Sequence, residues 1–571
     1  MALLEAGGDP RSWTRDVPAL HAQAAEDPAM SWDFFVRTYA DDARQRRNER
    51  FVANRGGVLY PRAGTLGGCT AHNAMITMRP HDGDWDSIAE TFGDASWRAA
   101  NMRRYWTRLE HCDYAPSSAR SAHGHAGWLH TDVARPALAF DDERLRAIVV
   151  AALAEAQSLD PDLYLDAVRT TLAGGALWDP NDERVVRAAA EGMVFVPLHM
   201  NGGTRESTRD YVHATAASCP NNLHVELHAL ATRVLFDGER AVGVEYLSGE
   251  RLYRASASPT ANAGERREIH AKREVILCGG VFNSPQLLML SGIGPADHLR
   301  AHGIEVRVDR PGVGKNLQDR YEMSVVYELD GDLDAQRGMT FRAPGASGPD
   351  PALARWLAGR NGPYATNGVV GALVKKSEPS RPVPDLFVFG IVGNFHGYFP
   401  GYSRELTADH RHFSWGVLKA HTVNRAGAVR LRSPDPRDPP EVNFRYFDEG
   451  SPGSEADLDA VVDGVLTARR IMRRVGDAAR EVRPTHHVGT RREIAAYVRD
   501  NAWGHHASCT NKMGPVSDAT AVVDQNFRVH GVSGLRVVDA SVFPRIPGFF
   551  VVASVYMLAE KATDAILADA K

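Results

Sequence analysis

Pro61–Arg79 reads PRAGTLGGCTAHNAMITMR. Gly64, Gly67 and Gly68 stand together just ahead of a histidine, an asparagine and an apolar run. Glycines spaced in this way let backbone N–H groups approach a ligand closely, because no side chain stands in the way. Clustered glycines also make ordinary turns, so the group alone does not separate a ligand cradle from a surface loop. The residues that decide between the two follow directly: Cys69-Thr70-Ala71-His72-Asn73.

That stretch resembles the segment GRxLGGSSxxNxMxxxR of the glucose–methanol–choline (GMC) flavin oxidoreductases, which lies against the isoalloxazine ring. Four further blocks resemble motifs of the same family, in the same order. Met1–Gly8, MALLEAGG, is similar to its second strand; Gly279–Pro295, GGVFNSPQLLMLSGIGP, to its second signature, with Val281 for a small residue. Pro311–Arg320, PGVGKNLQDR, is similar to PGVGxNLQDH but ends in Arg320, and Val429–Pro436 resembles a substrate-domain strand and turn. The resemblance implies an α/β fold, α+β overall. A Rossmann-like FAD-binding domain (residues 1–135, 195–322 and 488–571) interleaves with a substrate domain (136–194 and 323–487) built on an antiparallel sheet with helices.

The opening residues read as the end of a buried strand, an acid and two glycines. In a dinucleotide-binding fold an acid at the end of the second strand bonds the adenosine ribose, about 20 residues after a G-x-G-x-x-G loop. Glu5 fills that place with nothing ahead of it, so roughly 30 residues of strand, phosphate loop and helix are expected to be absent. Gly292-Ile293-Gly294 is the nearest substitute, but it follows a helical pattern and not a strand. A misassigned start codon, a truncated chain and a degenerate paralogue all account for this.

Local patterns supply the rest. Leu145, Ile148, Val149, Ala152 and Leu153 share one helical face. Asp237-Gly238 marks a hairpin between Arg233–Phe236 and Ala241–Val244. Glu274–Gly280 is an apolar strand running into glycines; Ser284-Pro285 opens a helix over 286–290, and Gly292 stops it. Residues 331–368 read as irregular surface. Ser454 with Asp457, and Thr490 with Glu493, open two capped helices; Leu458, Val461, Val462, Val465 and Leu466 form the apolar face of the first.

A chain of 571 residues exceeds a single simple core. Its net charge of −5, with both signs interspersed, points to neither nucleic acid nor an anionic membrane as partner. No apolar run approaches the roughly 20 residues of a membrane span. Five cysteines without a CxxC pair argue for a reducing compartment, the cytoplasm, and against a cysteine metal site. His123-Gly124-His125 and His486-His487 lack ligand spacing and read as structural or solvated, so no metal site is expected.

Oxidising an alcohol removes a hydroxyl proton and a hydride from one carbon. The hydride goes to flavin, since no side chain accepts one, and a positioned base contributes about 10²–10⁴ in rate. Trp503–Gly514, WGHHASCTNKMG, resembles H-P-x-G-T-C-K/R-M-G and places His506 on the catalytic histidine. His505 is the adjacent rival, and a core or capping histidine the structural alternative. The family's second His or Asn falls on Val552, which moves no proton; His505 or Asn73 would then support the alkoxide. Phe549 and Phe550 would wall the site or simply pack the core. GGCTAHN is similar to the choline-oxidase version of the motif, which implies a covalent link from His72 to FAD; a histidine bonded beside a free flavin is the alternative. By resemblance Gly64, Gly67, Gly68, Asn73, Ala74 and Ala231 also touch the cofactor, with Asp539 and Ala540 near the pyrophosphate. The implied partners are a small alcohol, O2 or a quinone as acceptor, and a second copy in a homodimer. A lyase on the same fold and a non-catalytic paralogue are the rival readings.

Overall fold

Parallel pairing appears at both apolar strands that run into glycines. In the computed structural model, which describes residues 1–115, 122–158, 179–343 and 348–570, Ala2–Leu4 pairs in parallel with His224–Glu226, and Val275–Leu277 with Leu535–Val537. Parallel partners need long crossovers, here of more than 200 residues. The Asp237-Gly238 hairpin forms as read, joining Ala229–Asp237 to Arg240–Ser248 in a three-stranded antiparallel sheet.

The helix after the second parallel strand, α1 (Gly280–Leu290), starts ahead of Ser284-Pro285 and carries Pro285 inside it. Proline has no N–H to give the carbonyl four residues back, that of Val281. Thr510 Oγ1 donates to that carbonyl at 2.7 Å and replaces the missing bond. Asp539 closes the start: its Oδ2 accepts from Gly280 N at 2.9 Å and from Ser284 Oγ at 2.5 Å.

A six-stranded antiparallel sheet forms the second layer. Its order is Ala479–Arg483, Tyr321–Leu329, His412–Lys419, Leu386–Val392, Val369–Lys375 and Gly192–Val194. Side chains alternate across a strand. Leu386 and Val388 thus join the core beneath the helices, while Phe387, Phe389 and Ile391 face the other way. In Tyr321–Leu329, Tyr321, Met323, Val325 and Tyr327 take the helix side, which turns Glu322 to the opposite face. The covering helix, α2 (Ser454–Val475), buries Leu458, Val461, Val462 and Val465 as the periodicity predicts.

Two further local expectations fail. Gly453 and not Ser454 caps α2: Ser454 Oγ donates to Ser451 O, and Asp457 is drawn off to accept from Val423 N at 2.8 Å. Residues 331–368 are not merely surface. Helix Pro351–Gly359 packs Leu353 and Trp356 against Val17, Leu20, Met339 and Tyr364, a small core supplied by a segment over 300 residues away. The Thr490–Glu493 capping box does form, opening α3 (Arg491–Asn501). Ile494 and Val498 of α3 pack into the core under α2, so the segment from 488 onward touches both layers. His123 is buried between Glu110, 3.0 Å away, and Asp179, 2.7 Å away.

Candidate active site

A cavity of about 400 Å³ lies between the inner face of the six-stranded sheet and the glycine-rich segment. The sheet supplies Glu322, Val369, Phe389 and Ile391; the opposite wall brings Arg62, Gly68, Cys69, His72, Asn73 and Ala74. Asp539 and Ala540, at the start of α1, close one end. His505, His506, Phe550 and Val552 close another. Nine residues read from the sequence therefore converge: Gly68, His72, Asn73, Ala74, His505, His506, Asp539, Ala540 and Val552.

Glu5, Gly64, Gly67 and Ala231 stand outside that wall. Glu5 Oε1 accepts from Gly7 N at 2.7 Å, and burial pushes its carboxyl up to about 7. Gly64 serves a close approach: a Cβ on Gly7 would lie 1.7 Å from Gly64 O, and one on Gly64 2.2 Å from the Trp32 ring. These glycines let the opening strand's turn lie against the cavity segment. Ala231 sits in the Asp237-Gly238 hairpin sheet.

His506 is held from behind. Asp319 Oδ1 accepts from its backbone N at 2.8 Å, and Tyr60 bridges Asp319 Oδ2 to Ala507 N at 2.7 and 2.8 Å. Nδ1 of His506 lies 3.2 Å from Glu322 Oε1, and Nδ1 of His505 lies 3.1 Å from the same oxygen. Burial, then the neighbouring His505, pulls the His506 imidazole down to about 3. Burial alone would raise Glu322, yet the two histidines hold it near 2. Burial favours the uncharged form of the His506 imidazole, and the adjoining histidines favour the carboxylate form of Glu322. The Phe550 ring meets the His506 ring edge-on at 5.5 Å.

Asn73 is oriented by a second network. Its Oδ1 accepts from Met75 N at 3.1 Å and Arg205 Nη1 at 2.8 Å, and lies 3.1 Å from His199 Nε2. With the carbonyl oxygen saturated, the carboxamide NH2 is its free donor. Arg205 is itself buried, and loss of hydration brings it down to about 9. The family's motifs could not reveal Glu322, Arg205 or His199, because strand register and tertiary packing put them here. Alternation from Tyr321 onward was the one signal that could have marked Glu322.

The donor set fits a flavin. His72 is 7 % exposed, lines the cavity, and has a buried Nε2 with no partner; burial brings it down to about 3, so the ring is neutral. Such an orphaned nitrogen is costly unless a ligand meets it. Two family profiles described as GMC oxidoreductase match residues 22–322 and 423–559. The chain belongs to the GMC oxidoreductases. It is 33% identical to mitochondrial choline dehydrogenase of Mus musculus over 89% of this chain and 76% of that protein. An oxygen-dependent choline dehydrogenase of Brucella anthropi is 31% identical, covering 94% and 87%. Among solved structures, a formate oxidase variant from Aspergillus oryzae superposes with a TM-score of 0.79 at 20% identity, covering 100% of this chain and 93% of that one. Membership makes this GMC chain an FAD-dependent oxidoreductase of CH–OH donors. No helix among its described residues is long and apolar enough to cross a membrane.

Proposed function

We propose that this GMC oxidoreductase takes the hydroxyl proton of its alcohol on His506 and yields an aldehyde or ketone, with O2 or a quinone as final acceptor. The observation that carries the reading is His506, with Nδ1 3.2 Å from Glu322 Oε1, on the wall of the cavity that also holds His72 and Asn73. When bound, FAD accepts the hydride. The chain does the rest. Glu322 Oε1, 3.2 Å from Nδ1, stabilises the His506 ring as it gains charge, leaving Nε2 to receive the proton. The Asn73 NH2 supports the developing alkoxide charge, a task Val552 cannot perform. Phe389, Phe550 and Tyr398 keep water away.

The relatives named for choline act on an alcohol with a cationic end. Glu322, with the Tyr398 ring nearby on the wall, favours such an alcohol over an anionic one. His72 is proposed as the covalent anchor of the flavin. Residues 1–135, 195–322 and 488–571 are assigned to the flavin layer and 136–194 and 323–487 to the substrate layer; residues 159–178 lie outside the described residues. Five free cysteines fit a reducing compartment, the cytoplasm.

The test is anaerobic mixing of the holoenzyme with a panel of primary, benzylic and amino alcohols. At least one should bleach the wild-type flavin, and His506→Ala should slow that bleaching by about 10²–10⁴ with flavin content intact. Equal rates in the two proteins would remove His506 from the role.

A further inference from the structure

Between Asp319, which holds the backbone of His506, and Glu322, which faces its ring, stands Arg320. Its side chain is fully buried, and its guanidinium has no carboxylate partner among the described residues. Taking a guanidinium out of water without a counter-charge is costly. The two bonds it does make go to a single short loop. Nη2 donates to Pro547 O at 2.5 Å, and Nε donates to Phe549 O.

That loop is gripped from its other side as well. Asp84 Oδ2 accepts from Gly548 N at 2.9 Å, and Asp84 is itself fixed by His81 N at 3.0 Å and by His421 Nε2, 3.0 Å from its Oδ1. Gly548 has a φ of +57°, and a Cβ on it would lie 2.9 Å from Pro80 Cα, so the backbone passes through a gap that only glycine fits. Three successive residues thus each give one backbone group to a charged side chain. The residue that follows them is Phe550. Its ring meets His506 edge-on at 5.5 Å and Phe387 at 5.1 Å.

We propose that Arg320 is a positioning residue for the base: forked onto Pro547 O and Phe549 O against the pull of Asp84, it fixes the Phe550 ring beside His506 and so sets the width of the alcohol site there. A planar guanidinium reaches two acceptors from one rigid fork, whereas a lysine ammonium is a single point on a flexible stem. The carbonyls lie two residues apart, so losing either bond lets the loop turn about the other. A ring displaced beside the base leaves the imidazole free to tilt, and small misplacements of reacting groups cost rate steeply. The effect on the reaction rests on the reading of His506 as base; the clamp on the loop does not.

Hydrogen exchange of the holoenzyme, followed by mass spectrometry, tests the clamp without turnover. In Arg320→Lys, peptides spanning 546–551 should exchange about tenfold faster than in wild type, while those from strand Ala229–Asp237 keep their rate. Arg320→His, which carries the residue of the family motif and reaches one carbonyl only, serves if the lysine variant yields no flavoprotein, and should give the same local rise. Unchanged exchange at 546–551, or an equal rise in both regions, overturns the clamp. Anaerobic flavin reduction by the best alcohol of the panel should slow about tenfold in the same variant. In a Phe550→Ala background the substitution should cost no more than about twofold, since the ring through which Arg320 acts is gone. Faster exchange with an unchanged reduction rate, or a tenfold loss that persists without Phe550, overturns the positioning role. A wild-type flavin that no alcohol bleaches defeats the functional reading and leaves the exchange result standing.

Discussion

On the proposed mechanism one nitrogen of His506 faces Glu322 Oε1 at 3.2 Å and the other takes the hydroxyl proton. Replacing Glu322 by Gln keeps the shape but removes the charge that stabilises His506 as it gains a proton. Glu322→Gln should therefore slow anaerobic flavin reduction about tenfold to a hundredfold, less than loss of the base itself. Flavin content should not change, and an unaltered rate would detach Glu322 from the chemistry. His72 gives a second outcome at this scale. Its buried Nε2 has no protein partner, so acid-precipitated holoenzyme should carry yellow fluorescence into the pellet, and His72→Ala should leave it in the supernatant. A colourless wild-type pellet would reduce His72 to a neighbour of the flavin. That His506, His72 and Asn73 line one cavity was legible because short motifs carry them. Glu322 was not, because the face it occupies depends on the pairing of Tyr321–Leu329 with His412–Lys419.

Helix boundaries failed where a distant group replaced the local signal. The sequence places a start at Ser284-Pro285 since proline favours a first turn. Yet α1 begins at Gly280 because Thr510 supplies the bond that Pro285 cannot. Thr510→Val leaves a buried carbonyl oxygen unpaired and should cost about 1–3 kcal/mol in urea unfolding of the holoenzyme. Pro285→Ala in that background restores an N–H four residues on and should recover part of the loss. If the double variant is no more stable than Thr510→Val, the hydroxyl is not substituting for the helix bond. The same cause explains α2, whose expected capping carboxylate, Asp457, is spent on Val423 N and Lys419. By contrast, the Thr490–Glu493 box is exposed, without competitors, and formed as read.

At the scale of the whole molecule, the presence of parallel pairs beside an antiparallel sheet was legible from the motifs. The helix and core within 331–368 were not, since Val17 and Leu20, far away in the chain, complete them. The layered packing has an electrostatic consequence that no motif carries: it buries histidines at many points at once. Burial lowers His21, His81 and His298 to about 4, and His72, His199 and His506 to about 3. Each folded value lies below the ordinary 6.5, so the unfolded chain binds protons that the folded one refuses. Their stabilisation is full above about pH 6.5 and is lost as pH falls toward 4. Glu5, raised to about 7, and Asp319, raised to about 6, work the other way, as do smaller rises at Asp33, Asp82 and Asp132. His123, raised to about 12 by hydrogen bonds to Asp179 and Glu110 that outweigh its burial, also opposes the lowered histidines, but only above about pH 6.5. Below it the six lowered histidines prevail by number. Each net proton is worth about 1.4 kcal/mol per pH unit. Stability to urea should therefore drop steeply from pH 7 to pH 5, with proton uptake on unfolding measurable by calorimetry in buffers of different ionisation enthalpy. His81→Phe, outside the flavin cavity, should flatten that slope by about one proton. A stability that stays level from pH 7 to pH 5 would mean that these imidazoles are hydrated in solution and the layers are looser than their packing implies.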